Sequence, residues 1–363
     1  MKNILLLIYF ILVFALQILA QTNQGMQTDS IVFKEPQLIL EAVAGDGPGQ
    51  VGIMSVEEGV TGLPNDFVID PKGAIWIMDV MNRRVQKFDE KGNFILQFPN
   101  ESNKSPIELN CRYIECDLEG NIVLGGIGIG LIRDGNYDMN FIVLSNDGSF
   151  LRSFKLPTIA GFNFPITSSN EILYPVVLYP VGKSPDFVAF DLTGKVLYEI
   201  KGGPHFSGEN VTPYSKYMIS NIYNPIQKSN IYHGDIKGQP KFVINIDEGE
   251  ISSKGPKGTN KNRINKYVFL ADSEGNLFVR TLVSENPRRF AYSYHSPYGR
   301  YIQTLKNPPD LSKKIWRYCE TIDKEGNLYL MRIYEPQGIE IIYNEPIKGG
   351  TPCLRIWKWE RIK

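Results

Sequence analysis

Glu58, Asn65, Asp66 and Asp79 gather three carboxylates and an amide within one short stretch of this chain. Hard oxygen donors of this kind suit calcium, which accepts them in flexible geometry. Five cationic side chains, Arg112, Lys266, Arg280, Arg317 and Arg332, recur further along at comparable places in a repeated pattern. With Asn65, Asp66 and Asp79 they form a candidate site for an anionic small molecule or an acidic peptide. His205, His233 and His295 have no acid at the spacing a general base needs, and they read as loop and surface residues. The run Gly125-Gly-Ile-Gly-Ile-Gly130 lacks the Lys-Ser/Thr of a phosphate cradle and precedes no helix. No catalytic set emerges from these residues. Phe290, Tyr292 and Tyr294 alternate along one strand, and packing between neighbouring sheets is the use expected of them.

The cysteines add little chemistry. Cys111, Cys116, Cys319 and Cys353 show no CxxC pair and no zinc-like spacing. Cys111 and Cys116 stand on extended chain, about 16 Å apart and beyond bonding reach. Cys319 with Cys353 is the bridge an oxidising compartment would allow; four buried thiols are the other reading.

The elements that position these residues repeat. An alternating apolar strand ends in Asp, two residues follow, then Gly and a small or polar residue, then another apolar strand. The clearest copies are Asp70-Pro-Lys-Gly73, Asp117-Leu-Glu-Gly120, Asp272-Ser-Glu-Gly275 and Asp323-Lys-Glu-Gly326. Weaker copies lie at residues 164–175 and 217–223. An interleaved second set carries Asp89-Glu-Lys-Gly92, Asn146-Asp-Gly148, Asp191-Leu-Thr-Gly194 and Asp247-Glu-Gly249, with a looser copy at residues 290–305. Asp bonds its own backbone two residues on, and Gly takes the positive φ of a tight hairpin. Two hairpins per unit make a four-stranded sheet, and a period of about fifty residues is that of a propeller blade.

The chain from Pro64 onward has room for six such units. The fold expected is therefore all-β: a six-bladed β-propeller with four-stranded antiparallel blades, its ring closed by an N-terminal strand. The closing strand is residues 38–44, because the last unit stops at Arg355-Ile-Trp-Lys-Trp-Glu360 without an outer strand of its own. Pairing the two termini protects the final sheet edge. Residues 21–363 form one domain in this reading.

The turns within hairpins are tight, whereas the other connections, such as residues 99–110, 126–140, 201–216, 252–265 and 333–352, are long. In an up-and-down blade these two kinds of connection lie on opposite faces, and long loops on a rigid scaffold are where binding usually sits. Innermost strands begin at that face near Asn65, Asp66, Arg112, Lys266 and Arg317. Second strands return to it near Asp79, Arg280 and Arg332. Inter-sheet salt bridges are the alternative use of the same charges.

Lys2, the apolar residues 4–16 and Ala20 before Gln21 read as a signal peptide over residues 1–20, cleaved on export. The alternative is an uncleaved anchor, the one route by which this chain would touch a membrane, although about seventeen apolar residues are short for a span. An extracytoplasmic location follows: secreted, periplasmic or cell-surface. Lys and Arg total 39 and Asp and Glu total 39, so no basic excess invites nucleic acid.

The segment Asp79-Val-Met-Asn82-Arg83-Arg84-Val85-Gln86-Lys87-Phe88-Asp89, following Asp70-Pro-Lys-Gly73, resembles an NHL repeat. Later units keep the hairpins but not the Asn-Arg-Arg segment, apart from the region of Arg355. The resemblance implies a six-bladed propeller serving as a binding or scaffold module for a protein, peptide or glycan, with no cofactor. The Pro64-Asn65-Asp66 string is also similar to segments of lactonase propellers that hold calcium in their channel. That similarity implies, as the alternative, a calcium-dependent, gluconolactonase-like hydrolase using Glu58, Asn65, Asp66 and Asp79. Fold alone does not choose between them.

Overall fold

The computed structural model describes residues 32–56, 59–99, 111, 113–127, 137–158, 166–176, 186–200, 213–214, 217–221, 228–233, 242–245, 266–285, 288–309, 315–339, 341–342 and 344–362. Among these, every extended element is a β-strand. The first sheet runs Asp66–Ile69, Ile75–Asp79, Arg84–Phe88 and Phe94–Phe98, each strand antiparallel to the next. The second runs Tyr113–Cys116, Ile122–Ile127, Tyr137–Leu144 and Phe150–Thr158 in the same manner. The third and fourth show three strands each among the described residues: Ile172–Val176, Asp186–Phe190 and Val196–Ile200, then Tyr217–Asn221, Lys228–His233 and Phe242–Asn245. The fifth comprises Lys266–Ala271, Leu277–Glu285, Arg288–His295 and Tyr301–Leu305.

The last sheet joins the two ends of the chain. Its inner three strands are Ile315–Ile322, Leu328–Tyr334 and Gly349–Trp359, and its outermost strand is the N-terminal Gln37–Ala44. Leu38 faces Trp357, Glu41 faces Arg355 and Ala42 faces Leu354 in antiparallel register. The pairing expected for residues 38–44 is thus present. Phe33, just upstream, sits edge-on to Tyr294 at 5.0 Å in the fifth sheet's core. Gly92 turns the first sheet's outer hairpin against this strand. A Cβ there would meet the Ile39 carbonyl oxygen at 2.1 Å, and its φ is 81°, so only glycine fits.

The hairpin chemistry repeats as the spacing predicts. Asp70 Oδ1 accepts the Lys72 and Ala74 amides at 2.8 and 3.0 Å, while the Gly73 amide donates to the Asp70 carbonyl at 2.8 Å. Asp117, Asp272 and Asp323 bind the amides two and four residues on in the same way. In the weak third copy Thr167 replaces Asp, and Asn170 takes the positive φ in place of Gly. Asn tolerates that region better than other side chains with a Cβ.

Among the described residues, apolar cores lie between the first and second sheets, the second and third, the fifth and last, and the last and first. Trp76, Met78, Val85 and Phe98 of the first meet Ile114, Ile122 and Ile142 of the second. Tyr292 and Tyr294 of the fifth meet Leu328 and Trp359 of the last, so the aromatic strand packs as expected. Strands with neighbours on both faces, such as Ile75–Asp79, are buried at every position, whereas the outer strand Phe94–Phe98 is mostly half-exposed. Stacked antiparallel meanders with their first strands turned inward are the architecture of a β-propeller. No helix among the described residues is long and apolar enough to cross a membrane.

Candidate functional site

The innermost strands supply the site. Asp66–Ile69 lies between Tyr113–Cys116 and Ile315–Ile322, and these three strands wall a cavity of about 700 Å³, its open mouth included. Asp66, Glu115, Cys116, Arg317 and Cys319 line it, together with Asn65. Tyr214 reaches in from the fourth sheet's side, donating its hydroxyl to the Ile69 carbonyl at 2.7 Å.

Asp66 accepts hydrogen bonds from three strands. Its Oδ1 accepts the Phe67 amide at 2.9 Å and the Cys319 thiol at 3.1 Å. Its Oδ2 receives only a long contact from the Ile114 amide, 3.5 Å. Burial pushes the carboxyl up to about 6, against these donors and the charge of Arg317. Glu115, on the neighbouring strand, is held well above the usual carboxylate range by burial and then by the charge of Asp66. The Cys319 thiol rises for the same two reasons, so it stays protonated and is no nucleophile. Arg317 shares the cavity, its Nε is buried, and it has no hydrogen-bond partner.

These shifts carry a stability consequence. Folding holds Asp66 near 6 instead of its ordinary 3.8, so the folded state favours the protonated acid. That contribution is complete below about pH 4 and is lost as pH rises through about 6. An Asp66→Asn variant should therefore gain on the parent between pH 4 and 7, by about 1–2 kcal/mol after allowing for partial solvation. Urea unfolding of both proteins across that range measures it; a difference independent of pH refutes the assignment.

The other predicted site residues are distributed differently. Asp79 is fully buried, and its oxygens accept from the Gly52 amide, the Asn82 amide group and Arg84 Nε, each at 2.9 Å. Arg280 pairs with Glu320 at 3.1 Å and lies over the Phe290 ring. Arg332 is 2% exposed and lies over Tyr318. Both arginines thus sit between the fifth and last sheets, so the expected cluster of cations is reduced to Arg317 among the described side chains. Lys266 opens its strand opposite Thr281. Glu58 and Arg112 lie outside the described residues.

Three readings change. His295 is no surface loop residue: it ends a strand at 1% exposure, with Ser293 Oγ 2.9 Å from Nε2 and the Gly299 carbonyl 3.1 Å from Nδ1. His233 also lies on a strand, while His205 falls outside the described residues. Cys319 and Cys353 form no bridge; all four cysteines are free thiols.

Sequence reasoning missed Glu115, Cys319 and Tyr214. Glu115 left a trace, as the one acid inside the strand Tyr113–Cys116. Nothing in the sequence brings Tyr214 to Ile69, because that contact spans the cavity.

The fold and this cavity define the class: a β-propeller with ionisable side chains at its inner wall. No known family profile matches the sequence, and no curated protein does. Among solved structures the chain is similar to a member of the DUF4221 family from Bacteroides vulgatus, at 14% identity over 91% of this chain and 99% of that one, TM-score 0.45. It is similar to virginiamycin B lyase from Staphylococcus aureus at 12% identity, covering 91% and 100%, TM-score 0.42. The calcium-binding protein regucalcin from Agrobacterium tumefaciens matches at 12% identity over 85% and 94%, TM-score 0.40.

Proposed function

We propose that this chain is an exported, six-bladed, NHL-type propeller, closed by its N-terminal strand, that acts as a non-catalytic binding module for a protein, peptide or glycan. The observation that carries this reading is the inner-wall cavity. It offers an acceptor at Asp66, a second carboxyl at Glu115 whose neutral form burial favours, and a guanidinium at Arg317 whose Nε has no partner, while burial pushes up the two thiols that line it, Cys116 and Cys319. Such a mosaic of donors and acceptors orients a polar ligand without transforming it. The long-loop face is where the partner enters; of the connections assigned to it, residues 100–110, 128–136, 201–212 and 252–265 fall outside the described residues. Export rests on the pattern of residues 1–20, which also lie outside them.

The calcium-dependent hydrolase is the weaker reading on the geometry. Of its four proposed ligands, Asn65 and Asp66 face the cavity, but Asp79 is spent on Gly52, Asn82 and Arg84. Arg317 places a positive charge beside the remaining donors, which disfavours a dication. Among the described residues no three His, Cys, Asp or Glu side chains converge on a metal-sized site. The expected result is a thermal midpoint unchanged by millimolar calcium or by chelator, with no turnover of a generic lactone or ester. A rise of several degrees with calcium, reversed by chelator and accompanied by turnover, establishes the hydrolase instead.

A further inference from the structure

We propose that the inner-wall cavity binds a small zwitterion, with an ammonium and a carboxylate on one compact frame, as in a free α-amino acid. The inference goes beyond the partners named above and rests only on the reading of this cavity as a non-catalytic binding site.

Two opposite charges share the cavity without meeting. Arg317 and Asp66 both line it, and the arginine's charge acts on the carboxyl. Yet Asp66 takes its hydrogen bonds from Cys319, Phe67 and Ile114, and Arg317 Nε is buried without a partner. A guanidinium near a carboxylate normally closes on it in a charge-assisted pair. Here the strands hold the two apart. Arg317 is carried by the last sheet and Asp66 by the first, and each is fixed by its own strand pairing.

The gap has a chemical complement. Arg317 presents donors for a carboxylate, in the planar geometry that recognises one. Asp66 Oδ2 keeps acceptor capacity for an ammonium, since its one contact is long. Glu115 stands beside Asp66 as a second oxygen site, its carboxyl pushed up by burial and by the charge of Asp66, so the Asp66 carboxylate is the acid set against the positive charge of Arg317. A ligand with one charge of each sign matches that count. A simple anion would face Asp66, and a simple cation would face Arg317.

The test uses the whole chain and free amino acids as probes, by isothermal titration calorimetry and by shift of the thermal midpoint. At least one free L-amino acid should bind. Its N-acetyl form, lacking the ammonium, and its carboxamide form, lacking the carboxylate, should each bind at least tenfold more weakly. Arg317→Gln should remove the preference for acid over carboxamide and keep the preference for free over acetylated amine. Asp66→Asn should do the reverse. Arg317→Lys, which keeps the charge, should retain part of the affinity. Circular dichroism and the unfolding midpoint establish that each variant is folded.

If no amino acid binds, or if the blocked forms bind as tightly as the free one, the zwitterion site is wrong. Should a protein, peptide or glycan bind the same preparation in that event, the module reading survives. Turnover of an amino-acid ester or lactone at the cavity removes the module reading itself.

Discussion

A chain that starts at Gly45 should lose its cooperative unfolding transition. The deletion takes away Gln37–Ala44, the outermost strand of the last sheet, and Phe33 before it. Leu40, Ala42 and Ala44 of that strand are buried against Leu354 and Ile356, in the core shared with Phe67 and Ile77 of the first sheet. Truncation of one buried leucine to alanine costs about 2–5 kcal/mol, and of one buried phenylalanine about 3–5 kcal/mol. Losing the whole strand adds its ladder of backbone bonds and uncovers the edge of Gly349–Trp359. Against a total stability of about 5–15 kcal/mol, that sum is decisive. Urea unfolding followed by fluorescence should show a broad transition or none, and size-exclusion chromatography should show self-association through the bare edge. A truncated chain that unfolds at the parent's midpoint contradicts a stabilising role for the pairing of this strand with Gly349–Trp359.

Asp79→Ala should be the most damaging single substitution in the first sheet, costing about 3–5 kcal/mol. Asp79 and Arg84 are 0% and 5% exposed, and they pair at 2.9 Å. Arg84 also donates to the carbonyls of Asp46, Gly47 and Gln50, and Asn82 donates to that of Gly45. Gln86 accepts the Gly49 amide and donates to the Gln50 carbonyl. The segment Asp79–Gln86 is therefore a clamp on residues 45–52, which follow the strand Gln37–Ala44 on the way to the first sheet. Taking out the carboxylate leaves a buried guanidinium without its counter-charge and the Gly52 amide without its acceptor, which is the expensive way to break a buried pair. The loss should appear as a lower urea midpoint with an unchanged slope. Asp79→Asn, which keeps the shape and one acceptor, should lose less. A cost under about 1 kcal/mol for the alanine variant contradicts the clamp.

Much of the fold was legible in the chain because its signals are local. Asp70-Pro-Lys-Gly73 and its copies encode their own turns, since the aspartate's amide acceptors lie two and four residues away. Alternation of apolar residues encodes which face of each strand is buried. Even the pairing of residues 38–44 with the C-terminal strand was readable, because counting strands left one edge open. The candidate site was legible only in part. Asn65, Asp66 and Arg317 do reach the cavity, because each sits at or near the start of an innermost strand.

What the sequence by itself determined, then, is the unit: hairpins that carry their own turn chemistry, repeated until the chain ends meet. What only the tertiary structure decided is how the charges are spent. Asp79 and Arg280 look as available as Asp66 and Arg317 when read along the chain. One of each sign is consumed by a neighbour, Asp79 by Arg84 and Arg280 by Glu320, while Asp66 and Arg317 stay apart across open space. The physical reason is that a charge's role depends on what lies within a few ångströms of it, and those neighbours range from Arg84, five residues from Asp79, to Cys319, on a strand 253 residues from Asp66.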